Sequence, residues 1–463
     1  MADYKINIEL VQQTPIIHFQ HDHRGATLRA SEVKPKLDRF LIKKLGGFDR
    51  VWDEHPEWFA GYTKKAKKSE FEKKPALDYK MRFFANGEPV KSQTIIAKQE
   101  ADREGEKVND VFRNKGYRNI NSFYFGNMAP EGVSVENVYK ETVFYPDGVR
   151  LEILCFHMGL KAAISEALDE FFLMHNFGTR QTKGFGGFAP QTLTAKKAIE
   201  ILNNNGAYYF YTDSSGDADR LMDQAIAIYN VMKSGINMTG YDKRNGNYKN
   251  PGGYIKGYAV REYLPGDTGS DKAYIKGKVF PGRKRSNESG EPKDTYASYT
   301  FIRAVLGLAS FYEFKDDMRK GTIVVKNYDG VEDADGRITV SAENIKEDKG
   351  IQRFSSPFLI KILDGRIVFI LNDSYKVMLN KRFFVGEKKL FDKKTEMAKR
   401  AGKKDRIDMS DIKYIYTPRE FDPEMFIKGF AAYFNKNAHK LELCRNPYRK
   451  SVKLKLETGG GAK

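Results

Sequence analysis

The amino-acid sequence predicts an α+β fold, and three observations carry that prediction. Residues 4–11 alternate apolar with polar side chains, which is the pattern of a half-buried strand. Residues 160–175 carry apolar side chains at helical spacing, which indicates an amphipathic helix. Two β-rich runs, 138–144 and 149–157, flank a Tyr-Pro-Asp-Gly sequence at 145–148 that is typical of a tight hairpin turn.

The order of elements in the first half follows from these patterns. After the first strand a helix is expected, in which Ser31 can act as the cap and Val33 and Leu37 belong to an apolar stripe. Further strands are expected at 79–85 and 117–125. Strand, helix, hairpin, helix and strand give the β-α-β-β-α-β arrangement of a ferredoxin-like (RRM-like) unit. The helix-free face of such a sheet binds RNA in modules of similar topology.

The second half repeats this order in a more divergent form. Helices are expected at 195–204, 217–234, 296–311 and 426–434, a hairpin within 353–371, and a closing strand at 440–443. We therefore predict two ferredoxin-like domains with long insertions. The first covers residues 1–192, with an insertion at about 49–135. The second covers residues 193–463, with helical and loop insertions that include 239–295.

The charge of the chain indicates a polyanionic partner. Its 463 residues carry 79 lysines and arginines against 61 acids, a formal net charge of +18. An excess of this size is typical of proteins that bind nucleic acid. No apolar run approaches the roughly 18 residues of a membrane-spanning helix, and the two cysteines, Cys155 and Cys444, form no CxxC motif. We therefore expect a cytoplasmic protein that binds no membrane, metal or other cofactor.

The stretch from Asn176 to Phe188, which we call the glycine-rich loop, is the leading candidate for a binding site. It interleaves glycines and aromatic residues with two cations, Arg180 and Lys183, and its predicted RNA-binding residues are Gly178, Arg180, Lys183, Gly184, Phe185 and Gly186. Glycine permits positive φ and close backbone approach, so amide groups could reach a phosphate while Phe185 or Phe188 stacks on a base. The structural alternative is a tight turn between a helix and a strand. The loop lacks the spacing of a P-loop.

A second group of cations lies at the start of the first helix. The predicted phosphate ligands in this group are Arg24, Arg29, Lys34, Lys36 and Arg39. A helix N-terminus favours anions, which raises the expectation that these side chains contact phosphate. The alternative is that they form an ordinary solvated face of the helix.

Two further segments concentrate positive charge. Residues 388–406 hold nine cations and three acids, which predicts a surface helix followed by a loop. Six lysines lie between residues 64 and 74, where a surface loop is expected.

Four residues near the N-terminus are the obvious candidates for catalysis. His18, His21, Asp22 and His23 could act in general acid–base chemistry or ligate a metal ion. No second cluster of histidine or cysteine supports a metal site, and the chain has no GxSxG or HExxH motif. We therefore expect an RNA-facing polar turn here and no catalytic residue.

Three stretches resemble a known family. Phe177-Gly178 followed after five residues by Gly184-Phe185-Gly186 resembles the glycine-rich loop of the RAMP superfamily, the repeat-associated proteins of CRISPR systems. Residues 28–40 are similar to the helix-one motif of the first, capping RAMP subunit of type III-B (Cmr) effector complexes, and residues 354–361 resemble a late strand of that subunit. Asn176 stands where many members have another glycine.

The resemblance implies a function and a set of partners. The chain would be an RNA-binding subunit of an RNA-guided antiviral ribonucleoprotein, in contact with crRNA near its 3′ end and with target RNA. It would pack on other RAMP subunits, and the capping subunit is expected to be non-catalytic. The alternative within the same superfamily is a metal-independent endoribonuclease that processes crRNA.

Overall fold

The computed structural model describes most of the chain. The described residues are 4–17, 28–95, 139–213, 221–237, 240–241, 248–249, 254–263, 300–308, 311–315, 320–351, 353–443 and 454–460. They form an α+β protein, as predicted. Histidines 18, 21 and 23, Asp22, Arg24 and the predicted strand at 117–125 lie outside the described residues, as does most of 239–295.

The helices range from one turn to nearly five turns. The α-helices are α1 Ala30–Lys44, α2 Phe48–Glu54, α3 Lys68–Glu72, α4 Met158–Met174, α5 Ala195–Asn204, α6 Leu221–Lys233, α7 Tyr258–Arg261, α8 Ile302–Val305, α9 Ala342–Lys346, α10 Lys388–Arg400 and α11 Pro423–Asn437. Short 3₁₀ helices cover Pro56–Trp58, Gln181–Lys183, Asp373–Met378 and Ala438–Leu443.

The strands are short and belong to several sheets. They are β1 Lys5–Gln12, β2 Lys80–Ala85, β3 Val90–Ile95, β4 Tyr139–Phe144, β5 Val149–Leu154, β6 Phe188–Pro190, β7 Tyr208–Thr212, β8 Gly235–Asn237, β9 Gly240–Tyr241, β10 Tyr248–Lys249, β11 Tyr254–Lys256, β12 Phe311–Lys315, β13 Lys320–Lys326, β14 Gly330–Glu332, β15 Ile338–Ser341, β16 Phe358–Leu363, β17 Arg366–Leu371, β18 Arg382–Glu387, β19 Arg406–Asp408, β20 Lys413–Tyr416 and β21 Leu456–Gly459.

The first sheet has the antiparallel order β2-β5-β1-β6. Helices α1 and α4 cover one of its faces, and their apolar side chains share one core with β1 and β5. Strand β2 lies inside the predicted insertion at 49–135, yet it forms an edge of this sheet. Helix α1 begins one residue before Ser31, with Arg29 at the N-cap, so the capping role predicted for Ser31 is wrong.

The hairpin predicted for 138–157 is wrong in its pairing, although both strands exist. Strand β4 pairs with β3, whereas β5 lies between β1 and β2. The register runs without a shift from Lys80 opposite Leu154 to Ile95 opposite Tyr139, so β2–β3 and β4–β5 form one long ribbon. Gly148, with φ of 76°, marks a break within one side of that ribbon. The turn at residues 145–148 forms as predicted, with the Gly148 amide donating to Tyr145 O, but long-range pairing decides which strands meet.

A second four-stranded sheet repeats this order with different elements. Its antiparallel order is β16-β17-β7-β21, and α6 and α11 pack against it. The hairpin β16–β17 turns at Asp364-Gly365, as predicted. The predicted closing strand at 440–443 is instead a 3₁₀ helix, and β21 closes the sheet. The helix predicted at 296–311 is confined to α8 in the described residues, and β12 begins at residue 311.

Candidate nucleic-acid interface

The glycine-rich loop connects α4 to β6 and lies between the two main cores. Phe177 and Phe188 are fully buried in the core of the first sheet. Phe185 is 2% exposed and packs in the core of the second sheet, together with Ile360 of β16. The loop therefore joins the two halves of the protein. The burial of Phe185 speaks against the predicted stacking on a base, because neither face of its ring reaches the surface.

The loop glycines have the conformations that the sequence suggested, but their amides are used within the protein. Gly178, Gly184 and Gly186 have φ values of 78°, 88° and 68°. The amide of Gly178 donates to Glu32 Oε1 at 2.9 Å, and that of Gly186 donates to Pro15 O at 2.8 Å. A Cβ on Gly186 would lie 1.8 Å from Phe177 O. The close backbone approach that requires glycine here is made by the chain itself, which speaks against an amide cradle for phosphate.

A buried lysine from the second half fixes the base of the loop. Lys361 lies in β16, is 1% exposed, and donates to His175 O at 2.8 Å, Asn176 Oδ1 at 2.9 Å and Phe188 O at 3.2 Å. Burial lowers the pKa of Lys361 to about 7. Three oxygen acceptors match the three hydrogens of an ammonium group, and they favour the charged form.

Asn176 completes this arrangement. Its Nδ2 donates to Gln181 O at 2.8 Å and to Ile360 O at 2.9 Å, while its Oδ1 accepts from Lys361. The side chain is 1% exposed. An asparagine therefore supplies three hydrogen bonds that a glycine at this position could not make. Neither structural role was predicted, although a lysine inside the apolar run Phe358–Leu363 is a signal of a buried charge.

The exposed half of the loop is a turn that carries the predicted cations. Arg180 has φ of 59°, a left-handed conformation that is uncommon for residues other than glycine, and a 3₁₀ helix follows over Gln181–Lys183. Both cations are half-buried. Burial lowers the pKa of Arg180 to about 10, and burial together with Arg180 lowers that of Lys183 to about 8. Among the described residues, the Lys183 ammonium has no hydrogen-bond or ion-pair partner.

The cations of α1 divide into two groups. Lys34 donates to Asp38 and to Leu77 O, each at 2.8 Å, so it secures the helix. Lys36 donates to Glu32 and Gln181, each at 3.1 Å, and to Asn176 O at 3.3 Å. The Lys36 contacts tie α1 to the glycine-rich loop, those of Lys34 tie it to Leu77, and both lysines thus have structural roles.

The other predicted α1 cations differ in exposure. Arg39 is exposed and has no hydrogen-bond or ion-pair partner among the residues that the structure describes. Arg29 is half-buried at the helix N-cap. Among the predicted cations that the structure describes, Arg39 on α1 and the loop residues Arg180 and Lys183 are the ones that we retain as candidates for contact with an external anion.

His175, at the end of α4, is held neutral beside these cations. Its Nδ1 lies 2.9 Å from Phe171 O, and its ring lies edge-on to Phe40 at 5.7 Å. Burial, and to a lesser degree the charges of Lys36, Lys361 and Arg39, lower the pKa of His175 to about 4. A neutral imidazole with Nδ1 bonded to a backbone oxygen is poorly placed for acid–base chemistry at neutral pH.

His175 is expected to make folding sensitive to acid. The folded-state pKa of His175 is about 4 and lies below the usual 6.5, so the unfolded chain binds the proton more readily. The stabilisation of the folded state by the neutral imidazole is therefore complete above pH 6.5 and is lost as pH falls towards 4. The free energy of unfolding should fall by up to about 3 kcal/mol over this window. Chemical denaturation at several pH values checks this. His175→Gln should flatten the profile, whereas His439→Gln, at an exposed position, should not. An unchanged profile in His175→Gln would contradict the assignment.

The described residues contain no cluster of three or more histidine, cysteine, aspartate or glutamate side chains placed to hold a metal ion. The described histidines lie apart: His55 stacks on Trp58, and His157 lies 3.3 Å from Asp78. Within the described ranges, no helix combines the length and apolar character that crossing a bilayer requires.

Comparison with known families covers nearly the whole chain. Residues 3–236 match the family model described as the Cmr1 N-terminal domain, and residues 254–454 match the one described as the Cmr1 C-terminal domain. No curated protein matches the chain. The two domains occur here in order along one polypeptide, and the chain belongs to the Cmr1 family, a family of RAMP proteins of type III-B CRISPR systems.

Proposed function

We propose that this protein is a non-catalytic RNA-binding subunit of a type III-B (Cmr) effector complex, in which it contacts crRNA near the 3′ end and target RNA. It packs on other RAMP subunits of the complex. The observation that carries the RNA-binding role is the cation pair, Arg180 and Lys183, on the exposed half of the glycine-rich loop. Membership of the Cmr1 family supports the assignment to the complex.

The cation pair has the properties of an anion site. Half-burial removes water from both charges, and Lys183 has no acidic partner among the described residues. A phosphate bound between the two side chains would offset this desolvation and form charge-assisted hydrogen bonds. Arg39 of α1 adds an exposed cation on the helix that contacts the loop. We therefore assign phosphate contact to Arg180, Lys183 and Arg39.

The fold supports the same proposal. Two sheets, β2-β5-β1-β6 and β16-β17-β7-β21, have the same spatial order of strands. In each, neighbouring positions are taken by the second, third, first and fourth strands along the chain, which is the order of a ferredoxin-like β-α-β-β-α-β unit. We propose that the two sheets are two ferredoxin-like RAMP domains. The glycine-rich loop then lies where the last strand of the first domain begins, and β16 of the second domain supports it from beneath.

Arg180→Ala/Lys183→Ala is expected to weaken binding of single-stranded RNA about 10- to 100-fold, since two charge-assisted phosphate contacts are lost. Filter binding with the full chain measures this. Lys64→Ala/Lys65→Ala removes the same charge from an exposed segment and should change the affinity little. Equal losses of affinity in both variants would mean that the effect comes from net charge alone, and this would contradict the site.

The same titration has a pH signature. The free protein loses the Lys183 proton as pH rises through about 8, so binding then requires proton uptake and the affinity should fall. Lys183→Arg should keep the affinity and lose this pH dependence, because arginine stays charged.

RNA recovered intact after incubation supports the non-catalytic role, and cut RNA would favour an endoribonuclease.

A further inference from the structure

We propose a second RNA-binding surface on the second half of the protein, formed by helix α10 and the loop that follows it. Its ligand is the phosphate backbone of single-stranded RNA. The inference rests on the proposed RNA-binding function and adds a contact remote in sequence from the glycine-rich loop.

The first argument is the concentration of charge. Residues 388–406 carry nine cations and three acids, an excess of six within a chain whose net charge is +18. Three of the nine are used internally: Lys394 binds Asp411 at 2.7 Å, Lys399 binds Glu396 at 2.7 Å, and Arg406 donates to Thr339 O at 2.8 Å. The other six are exposed and have no hydrogen-bond or ion-pair partner among the described residues: Lys388, Lys389, Lys393, Arg400, Lys403 and Lys404.

The second argument is the arrangement of these charges on the helix. At 100° per residue, Lys389, Lys393 and Arg400 fall within about 40° of one another and span about 16 Å along the helix axis. We call these three residues the basic stripe. The opposite face is buried through Phe391, Lys394 and Ala398 against the sheet that contains β18. The stripe therefore points away from the protein, as a surface that follows a polyanion must.

The third argument is the presence of exposed aromatic rings on the same face of that sheet. Tyr414 of β20 lies opposite Phe384 of β18, and Phe384 packs in one cluster with Phe391 of α10. Directly opposite residues of an antiparallel pair project to the same face, so Tyr414 shares the α10 side of the sheet. Tyr414 and Tyr416 are 39% and 37% exposed, with ring centroids 5.7 Å apart. Arg382 of β18 lies 5.4 Å from both ring centroids, and exposed rings next to a cation on the α10 side of the sheet suit unpaired bases.

The composition favours RNA over an acidic protein as the ligand. Five of the six exposed cations are lysines. Lysine is depleted at protein–protein interfaces relative to the rest of the surface, whereas it serves well as a point charge for phosphate.

The test uses three variants of the full chain and a single-stranded RNA of about 40 nucleotides. Lys389→Ala/Lys393→Ala/Arg400→Ala should weaken binding about tenfold or more. It should also make the slope of log K against log salt shallower by about 2, since each contact to a single strand contributes about 0.7. The matched control, Lys64→Ala/Lys65→Ala/Lys74→Ala, removes three exposed lysines elsewhere and should alter neither quantity comparably. Tyr414→Ala should weaken binding and leave the salt slope unchanged, because stacking releases no counterions.

The outcomes separate this inference from the proposed function. If wild-type protein binds no RNA, the proposed function fails. If Arg180→Ala/Lys183→Ala weakens binding while the stripe variant equals wild type, only the second surface is overturned. Equal effects of the stripe variant and the lysine control would also overturn it. Full RNA affinity with loss of co-purifying protein subunits would assign the surface to a protein partner and overturn the inference.

Discussion

Lys361→Met is expected to lower the free energy of unfolding by about 3–5 kcal/mol. Methionine fills much of the same volume but leaves His175 O, Asn176 Oδ1 and Phe188 O without the donor they now share. A buried acceptor that loses its partner costs about 1–3 kcal/mol, and here three lose it together. The loss should exceed that of an ordinary surface substitution by several-fold.

Lys413→Met is the matched control, because Lys413 also lies in a strand but is exposed. Chemical denaturation of both variants measures the difference, and Lys413→Met should change the free energy of unfolding by less than about 0.5 kcal/mol. A Lys361→Met protein as stable as wild type would mean that the three contacts contribute nothing net. RNA affinity should fall in Lys361→Met as well, since the base of the glycine-rich loop loses its support.

Local patterns were sufficient to predict the elements that flank the candidate site. The amphipathic spacing of α1 and α4 and the Asp364-Gly365 turn of β16–β17 are properties of neighbouring residues. Strand pairing could not be predicted from local patterns, because β5 pairs with β1 and β2 rather than with the adjacent β4. Only the folded chain brings those strands together. The closing strand was misplaced for the same reason: β21 begins 13 residues beyond the predicted 440–443.

In the candidate site, too, features of neighbouring residues were predictable and long-range contacts were not. Arg180 and Lys183 were predicted as phosphate ligands because cations within a glycine-rich stretch can be recognised from the sequence alone. The close approaches of the glycines could not be predicted in this way, because the partner is another part of the chain: Phe177 for Gly186 and Ile17 for Gly178. Lys361 was missed since its acceptors lie more than 170 residues away in the sequence. A lysine within an apolar run indicates a buried charge, but it does not show which acceptors the charge will meet.

The glycine-rich loop has two parts with different roles. The half from Gly184 to Phe188 is buried and holds the two cores together, whereas the turn from Thr179 to Lys183 is half-exposed and carries the charge. A rigid base limits the positions that Arg180 and Lys183 can adopt, so less entropy is lost when a phosphate binds. Changes to the buried half should therefore act mainly on stability, and changes to the turn mainly on RNA affinity.

Gly186→Ala tests the buried half and is expected to lower the free energy of unfolding by about 3 kcal/mol or more. Part of this cost comes from φ of 68°, which costs about 1–2 kcal/mol for a residue with a Cβ. The larger part comes from the new methyl group, which would lie 1.8 Å from Phe177 O. That oxygen belongs to the backbone of a fully buried phenylalanine, so the loop cannot relax without disturbing the first core.

Gly336→Ala isolates the conformational part of this cost. Gly336 has a similar φ of 75°, but a Cβ there would meet nothing within 4 Å, so the expected loss is about 1–2 kcal/mol. Thermal or chemical denaturation of both variants gives the difference, which measures the close approach of Gly186 to Phe177. Equal losses would mean that the loop yields at no cost, and the glycine would then be required only for its dihedral angle. A larger loss in Gly186→Ala would identify the chain itself, rather than a bound phosphate, as the reason for glycine at this position.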